Sequence, residues 1–251
     1  MQKAFDIHCH FNHQPPFGDT QAQDSPLALK TLDFLRKEGE DFGVQARAFC
    51  GSFHSVLSAE HIYRENAVLA ELAQKNEWIY QWVVLDPRQK ELFKQARELL
   101  ASKKTLGLKV LCGYHGYSLP DYADEIFAFA NEQKTTVMMH PDHILEVASH
   151  ADKYPNMQLI VAHLGTMEHI QAVERAKHGN VFVDTSGSLS NQNNVIEYAV
   201  ERLGSEKIFF GTDTYSCAFQ KCRVEFARIS QQDKENILYR NALRILPRLE
   251  Q

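Results

Sequence analysis

The stretch Phe5-Asp6-Ile7-His8-Cys9-His10 sets two imidazoles two residues apart in an apolar, strand-like run. Side chains alternate faces along a strand, so Asp6, His8 and His10 are expected to project together, with Phe5, Ile7 and Cys9 on the other side. Lys109, His140, His163 and Asp213 each stand at the end of, or just past, another short apolar run. Gathered around one small volume, four imidazoles, a carboxylate and an amine would suit zinc or a related divalent ion, and an incomplete protein shell would leave a position for water. Water on such an ion ionises near neutral pH and becomes a nucleophile. A lone strand-end histidine is more often a hydrogen-bonded structural residue, so the chemistry depends on joint placement.

Joint placement needs a scaffold that brings many strand ends to one spot. Short β-branched or aromatic runs alternate with segments of helical period, the pattern of repeated β-α units on a parallel sheet. Eight strands are expected, at Ala4–His8, Val44–Phe49, Ile79–Leu85, Leu106–Leu111, Thr136–His140, Gln158–His163, Val181–Asp184 and Lys207–Thr212. Helices are expected at Pro26–Lys37, Ala59–Lys75, Gln89–Ala101, Tyr122–Gln133, His143–Tyr154, Met167–His178 and Val195–Leu203, with more helix after Ala218. Ser25 and Pro26 read as an N-cap and first helical residue, and Gly39, Gly179 and Gly204 as helix stops. The result is an α/β fold, a single (β/α)8 TIM barrel forming one domain over residues 1–251. The strand ends of such a barrel open into one mouth, where its enzymes carry their active sites. The stretches Gln14–Asp19 and Cys112–Pro120 read as loops on that side.

Composition narrows the function classes. The chain has 251 residues, 44% of them hydrophobic, enough for one large core. Lys and Arg total 27 against 32 Asp and Glu, with no basic run to track a phosphate backbone, so no nucleic-acid partner is expected. No stretch has transmembrane length and no signal-peptide pattern precedes the first strand, so the expectation is a cytoplasmic protein without a membrane partner. The five cysteines are scattered without C-x-x-C spacing, which points to packed thiols and not to disulfides or a thiolate zinc site.

These motifs, taken in order, resemble those of the amidohydrolase superfamily, in its amidohydrolase-related branch of metal-dependent hydrolases and decarboxylases. The likeness runs through Phe5–His10, Gly107-Leu108-Lys109, Met139-His140-Pro141, Tyr154-Pro155-Asn156, Ala162-His163-Leu164-Gly165, Phe210-Gly211-Thr212-Asp213 and Asn236–Ala242. The resemblance implies that His8, His10 and His140 bind the metal, with Asp213 as a ligand or as the partner of its water. Thr214-Tyr215-Ser216 departs from the aromatic-Pro pair that relatives often place after that Asp, so a different substrate loop is expected. One zinc is expected. Two would follow if Lys109 were a bridging carbamate, with His163 on the second ion, and other divalent ions would serve.

The expected activity is hydrolysis of a small carbonyl substrate, a lactone, amide or ester, with Asp213, His163 and Lys109 as catalytic residues. The alternative is non-oxidative decarboxylation of an unsaturated or aromatic carboxylic acid, and a third reading is a metal-binding barrel without catalysis. A carboxylate clamp would favour decarboxylation, and Arg47 and Arg88 are the candidate arginines. Loop residues that could reach a substrate are His54, Asp86, Tyr114, His115, Tyr117, Ser186 and Tyr215, with Tyr114–Tyr117 foremost. A small-molecule substrate is the expected partner, with homo-oligomerisation open.

Overall fold

The structure, a computed structural model, describes residues 2–12 and 31–245. The expected N-cap at Ser25, the start of the helix expected from Pro26 and the loop at Gln14–Asp19 lie outside them.

Eight strands form one parallel sheet in sequence order: β1 (Ala4–Phe11), β2 (Val44–Ser52), β3 (Ile79–Val84), β4 (Thr105–Val110), β5 (Thr136–Met139), β6 (Gln158–Val161), β7 (Val181–Asp184) and β8 (Ile208–Phe209). The first strand returns to the last through backbone bonds, Ile7 N–H to Phe210 O at 3.0 Å and Thr212 N–H to His8 O at 3.0 Å, which close the barrel. The expected strands recur within a few residues. β8 is the exception: only Ile208–Phe209 is regular, and from Phe210 the chain runs along β1 through single backbone bonds.

The helices between strands are α1 (Leu32–Phe42), α2 (Phe53–Leu57), α3 (Ile62–Lys75), α4 (Lys90–Leu99), α5 (Cys112–His115), α6 (Ala123–Glu132), α7 (Ile144–Ala151), α8 (Met167–Arg175) and α9 (Val195–Leu203). α10 (Cys217–Glu225), α11 (Gln231–Glu235) and α12 (Asn241–Ile245) follow β8. Gly39 does not end α1. It is buried in the helix face against Val44, and Gly43, at φ 70°, provides the left-handed C-cap. Gly204 does end α9, whereas Gly179 sits in the turn beyond α8. Among the described residues, no helix is long and apolar enough to cross a membrane.

Period-two alternation fills the barrel. Phe5, Ile7, Ala48, Trp82, Leu106, Met138, Ile160, Phe182 and Phe209 pack inside it, while Val83, Leu108, Val137, Val161 and Val183 face the helix layer. Trp82 is fully buried and donates its indole N–H to Ile7 O at 2.8 Å. Gly107 makes room for it, since a Cβ there would stand 2.9 Å from the indole ring. Above this plug the inward positions turn polar, and the mouth begins. The cysteines are free thiols, with Cys9, Cys50, Cys112 and Cys217 buried and Cys222 exposed.

Candidate active site

A cavity of about 210 Å³ opens at the C-terminal ends of the strands, lined by His8, His10, Lys109, His140, His163 and Asp213 together with Phe53, Val56, Leu57, Leu111, Tyr114, Thr214 and Tyr215. All six residues singled out for chemistry in the sequence therefore share one volume. Each reaches it by a different local route. His8 and His10 come from one face of β1, and Lys109 points inward from β4. His140 follows β5 directly and donates its backbone N–H to Val110 O. His163 and Asp213 sit past their strands at φ 66° and 57°, left-handed positions that non-glycine residues rarely adopt.

Nδ1 and Nε2 of each imidazole have separate tasks. His10 Nδ1 lies 3.2 Å from Gly51 O, a pure acceptor, so this nitrogen carries the proton and Nε2 is left as a lone pair, 3.5 Å from Asp213 Oδ1. His8 Nδ1 lies 2.8 Å from Asp184 Oδ2, and its Nε2 meets Lys109 Nζ at 3.1 Å. His163 Nδ1 faces Ser186 O at 3.2 Å. The His8 and His163 ring centroids are 5.0 Å apart, as are those of His140 and His163, and Tyr114 packs edge-on to His140 at 5.4 Å.

Electrostatics favour neutral imidazoles here. Burial, aided by Lys109 and neighbouring rings, pushes His10 and His140 down to about 3 and His163 down to about 4, although Asp213 pulls the other way. Burial alone would raise Asp213, but the surrounding histidines and Lys109 hold it below the usual carboxylate range. Neutral nitrogens beside an ionised carboxylate are the donor set a divalent cation requires. One donor atom from each of His8, His10 and Asp213 falls within a span of 4.8 Å, so these three residues fit a single ion. His140 stands outside that trio, against Tyr114 and His163. His8, His163 and Asp184 also converge within 4.8 Å, but Asp184 already accepts from His8 Nδ1 and from the backbone N–H of His163, so these atoms satisfy one another.

Other expectations on the residues change. Asp6 does not join His8 and His10. Its carboxylate takes Arg47 Nη1–H at 2.7 Å, Thr212 N–H at 3.0 Å and Thr212 Oγ1–H at 2.7 Å, because β1 shifts register against β2 between Asp6 and Cys9. Arg47 is buried between Asp6 and Glu38, and Arg88 binds Asp86 and the His115 and Gly116 carbonyls, so neither arginine lines the cavity. Lys109 is the cation that does so among the described residues. The helix that follows Asp213 has Ser216 as its N-cap, which leaves the Asp213 carboxylate in the mouth. Of the loop candidates, Tyr114 and Tyr215 line the cavity and Ser186 backs it, while His115 binds Ser55 O and Tyr117 lies under Arg88. Asp184, an inward position at the end of β7, was not among the candidates, although its parity with the inward Phe182 marks it.

Comparison with known proteins adds the family. The family model described as amidohydrolase matches residues 5–248. No curated protein matches the chain. The solved structure of 2,6-dihydroxybenzoate decarboxylase complexed with 2,6-dihydroxybenzoate is similar at 16% identity with TM-score 0.78, over 98% of this chain and 100% of that one. Dihydroxybenzoic acid decarboxylase from Polaromonas sp. JS666, with bound manganese and the inhibitor 2-nitroresorcinol, matches at 16% identity and TM-score 0.76, over 98% of this chain and 97% of that one. 5-Carboxyvanillate decarboxylase from Sphingomonas paucimobilis matches at 14% identity and TM-score 0.76, over 98% of this chain and 99% of that one. These neighbours overturn the expected hydrolysis: the reaction they share is decarboxylation, the alternative set out above. With its full-length barrel and the family model spanning nearly every residue, the chain belongs to the amidohydrolase family.

Proposed function

We propose that this protein is a metal-dependent, non-oxidative decarboxylase of a small aromatic carboxylic acid. The observation that carries the proposal is one cavity that combines the His8, His10 and Asp213 donors with Lys109 and a wall of Phe53, Tyr114 and Tyr215. The named decarboxylases of the same fold act on hydroxylated benzoates, and a cavity of about 210 Å³ suits one ring better than an extended substrate.

His8, His10 and Asp213 would hold the ion, with His140 within the same cavity as a further donor. Zinc suits this nitrogen and oxygen set, and so does manganese, which the Polaromonas enzyme binds. When bound, the ion supplies positive charge that orients the substrate and steadies negative charge developing on it. Lys109 pairs with the substrate carboxylate and in doing so releases His8 Nε2. The aromatic wall stacks the ring and keeps bulk water from it. The Asp213 carboxylate takes the proton of a ring hydroxyl, which raises electron density at the carbon bearing the carboxylate, and returns that proton to this carbon. The carbon–carbon bond then breaks, its electron pair restores the aromatic ring as a phenolate, carbon dioxide leaves, and the phenolate is protonated from solvent.

The test is carbon dioxide release from 2,6-dihydroxybenzoate and related hydroxybenzoates by manganese-supplemented protein. Release that is lost on chelation and in Asp213→Asn supports the proposal. Absence of release across such a panel by metal-loaded protein contradicts it.

A further inference from the structure

Behind the cavity, Asp184 collects four donors. Oδ2 faces His8 Nδ1 at 2.8 Å, while Oδ1 accepts His163 N–H at 3.1 Å, Ser186 N–H at 2.8 Å and the Ser186 hydroxyl at 2.5 Å. Ser186 Oγ in turn stands 2.9 Å from His8 Nδ1 and 3.0 Å from His163 Nδ1. Asp184 and Ser186 are both fully buried, so water offers these groups no alternative partner.

The arithmetic of donors leaves one arrangement. The Ser186 hydroxyl spends its single proton on Asp184, so toward both imidazoles it can only accept. Every partner of His8 Nδ1 and His163 Nδ1 is then an acceptor, and both rings carry their proton on Nδ1. On the opposite side of His8, Lys109 Nζ lies 3.1 Å from Nε2 and donates to it, which agrees with a lone pair there. A proton on Nε2 would instead set two donors against each other.

We propose that Asp184 is a positioning residue that locks His8 in the Nδ1–H tautomer and so presents Nε2 as a lone pair to the mouth, with Ser186 as its bridge to His163. The proposal rests on the metal reading above only for its consequence, that the presented lone pair is the ligating one. Asp184→Asn is the discriminating change. An asparagine has one acceptor oxygen, which the three donors on the Oδ1 side claim, and its NH₂ then points at His8 Nδ1. That nitrogen then becomes an acceptor, its proton moves to Nε2, and Lys109 Nζ gives up its contact there. His163 is an internal control, because the Ser186 carbonyl still holds its Nδ1–H.

The experiment is long-range ¹H–¹⁵N correlation of the imidazoles in full-length, chelator-treated protein, with His8 assigned by its loss in His8→Asn. Manganese affinity is measured beside it from the spectrum of free Mn²⁺. The wild type is expected to show Nδ1–H on His8 and His163. Asp184→Asn is expected to show Nε2–H on His8, unchanged His163, and a Mn²⁺ dissociation constant raised tenfold to a hundredfold, the range for lost partners of ligating histidines. Ser186→Ala is expected to keep His8 on Nδ1–H. Nε2–H on His8 in the wild type overturns the proposal even if Asp184→Asn does not fold, and so does an Asp184→Asn protein with Nδ1–H on His8. A wild type with the expected tautomers that binds no Mn²⁺ overturns the metal reading and leaves the lock standing.

Discussion

Arg47→Met tests the buried ion network beside the mouth. Arg47 is 1% exposed, donating to Asp6 at 2.7 Å and to Glu38 at 2.9 Å, and these carboxylates are 0% and 9% exposed. Removing one partner of a buried pair costs about 3–5 kcal/mol, because the other charge is left uncompensated. Asp6 keeps three donors, His8 N–H at 3.2 Å and both Thr212 groups, whereas Glu38 keeps Cys217 N–H at 3.0 Å. The loss should therefore fall near the lower bound, about 3 kcal/mol, and Glu38 should account for much of it. The double variant Arg47→Met/Glu38→Met should recover about 1 kcal/mol relative to Arg47→Met, a non-additivity expected of contacting residues. Urea unfolding followed by circular dichroism reads both values. Since Asp6 still ties His8 to Thr212, manganese affinity should change little. A cost below about 1 kcal/mol for Arg47→Met, or a double variant less stable than the single, would refute the claim that Arg47 neutralises two buried carboxylates.

Further outcomes follow from the same geometry. Gly187→Ala places a Cβ 2.7 Å from His163 Nδ1 at a φ of 79°, so turnover should fall about a hundredfold as the ring is displaced, with a lowered melting temperature. An intact rate would show that the position of His163 is not critical. Lys109→Met removes a buried positive charge next to His8 Nε2, so manganese should bind more tightly while decarboxylation is lost, read by metal titration and carbon dioxide release. Weaker metal binding would make Lys109 part of the ion's shell. His10, His115, His140, His163 and His169 are all held below the ordinary histidine range, chiefly by burial, so the unfolded chain takes up protons first as pH falls. Their contribution is complete above the unfolded value near 6.5 and is lost as pH falls toward the folded values of about 3 to 4 for the three mouth histidines, roughly 1 kcal/mol per group over the first unit. The melting temperature of chelator-treated protein should therefore drop steeply between about pH 6.5 and 5; a flat profile would contradict buried neutral rings.

Most of the barrel is legible in the sequence because period-two runs separated by helical periods leave few other arrangements, and the two-residue spacing of His8 and His10 puts them on one face, although Ile7 also faces inward because β1 shifts register between Asp6 and Cys9. Alternation fails where the backbone leaves strand geometry. Ile160 faces inward, so strict alternation would turn His163 outward, and only its left-handed φ brings the ring into the mouth. Asp6 departs from the pattern for a related reason, since the register shift in β1 sends its carboxylate to Arg47, a partner 41 residues away that no local pattern announces. Gly39 carried a helix-stop signal, but it serves close packing on Val44 inside α1. Asp184 was within reach, being an inward carboxylate at a strand end, yet its partner His8 lies 176 residues earlier. The choice between hydrolysis and decarboxylation was not within reach, because the same donors serve both reactions.

The central claim is that the mouth residues hold a divalent ion, and metal content is its most direct test. Wild-type protein purified from manganese- and zinc-supplemented medium should carry about one divalent ion per chain by elemental analysis, and the His8→Ala/His10→Ala double variant should carry none while keeping its fold by circular dichroism. A folded wild type that stays metal-free after reconstitution, or a double variant that keeps a full equivalent, would contradict the account.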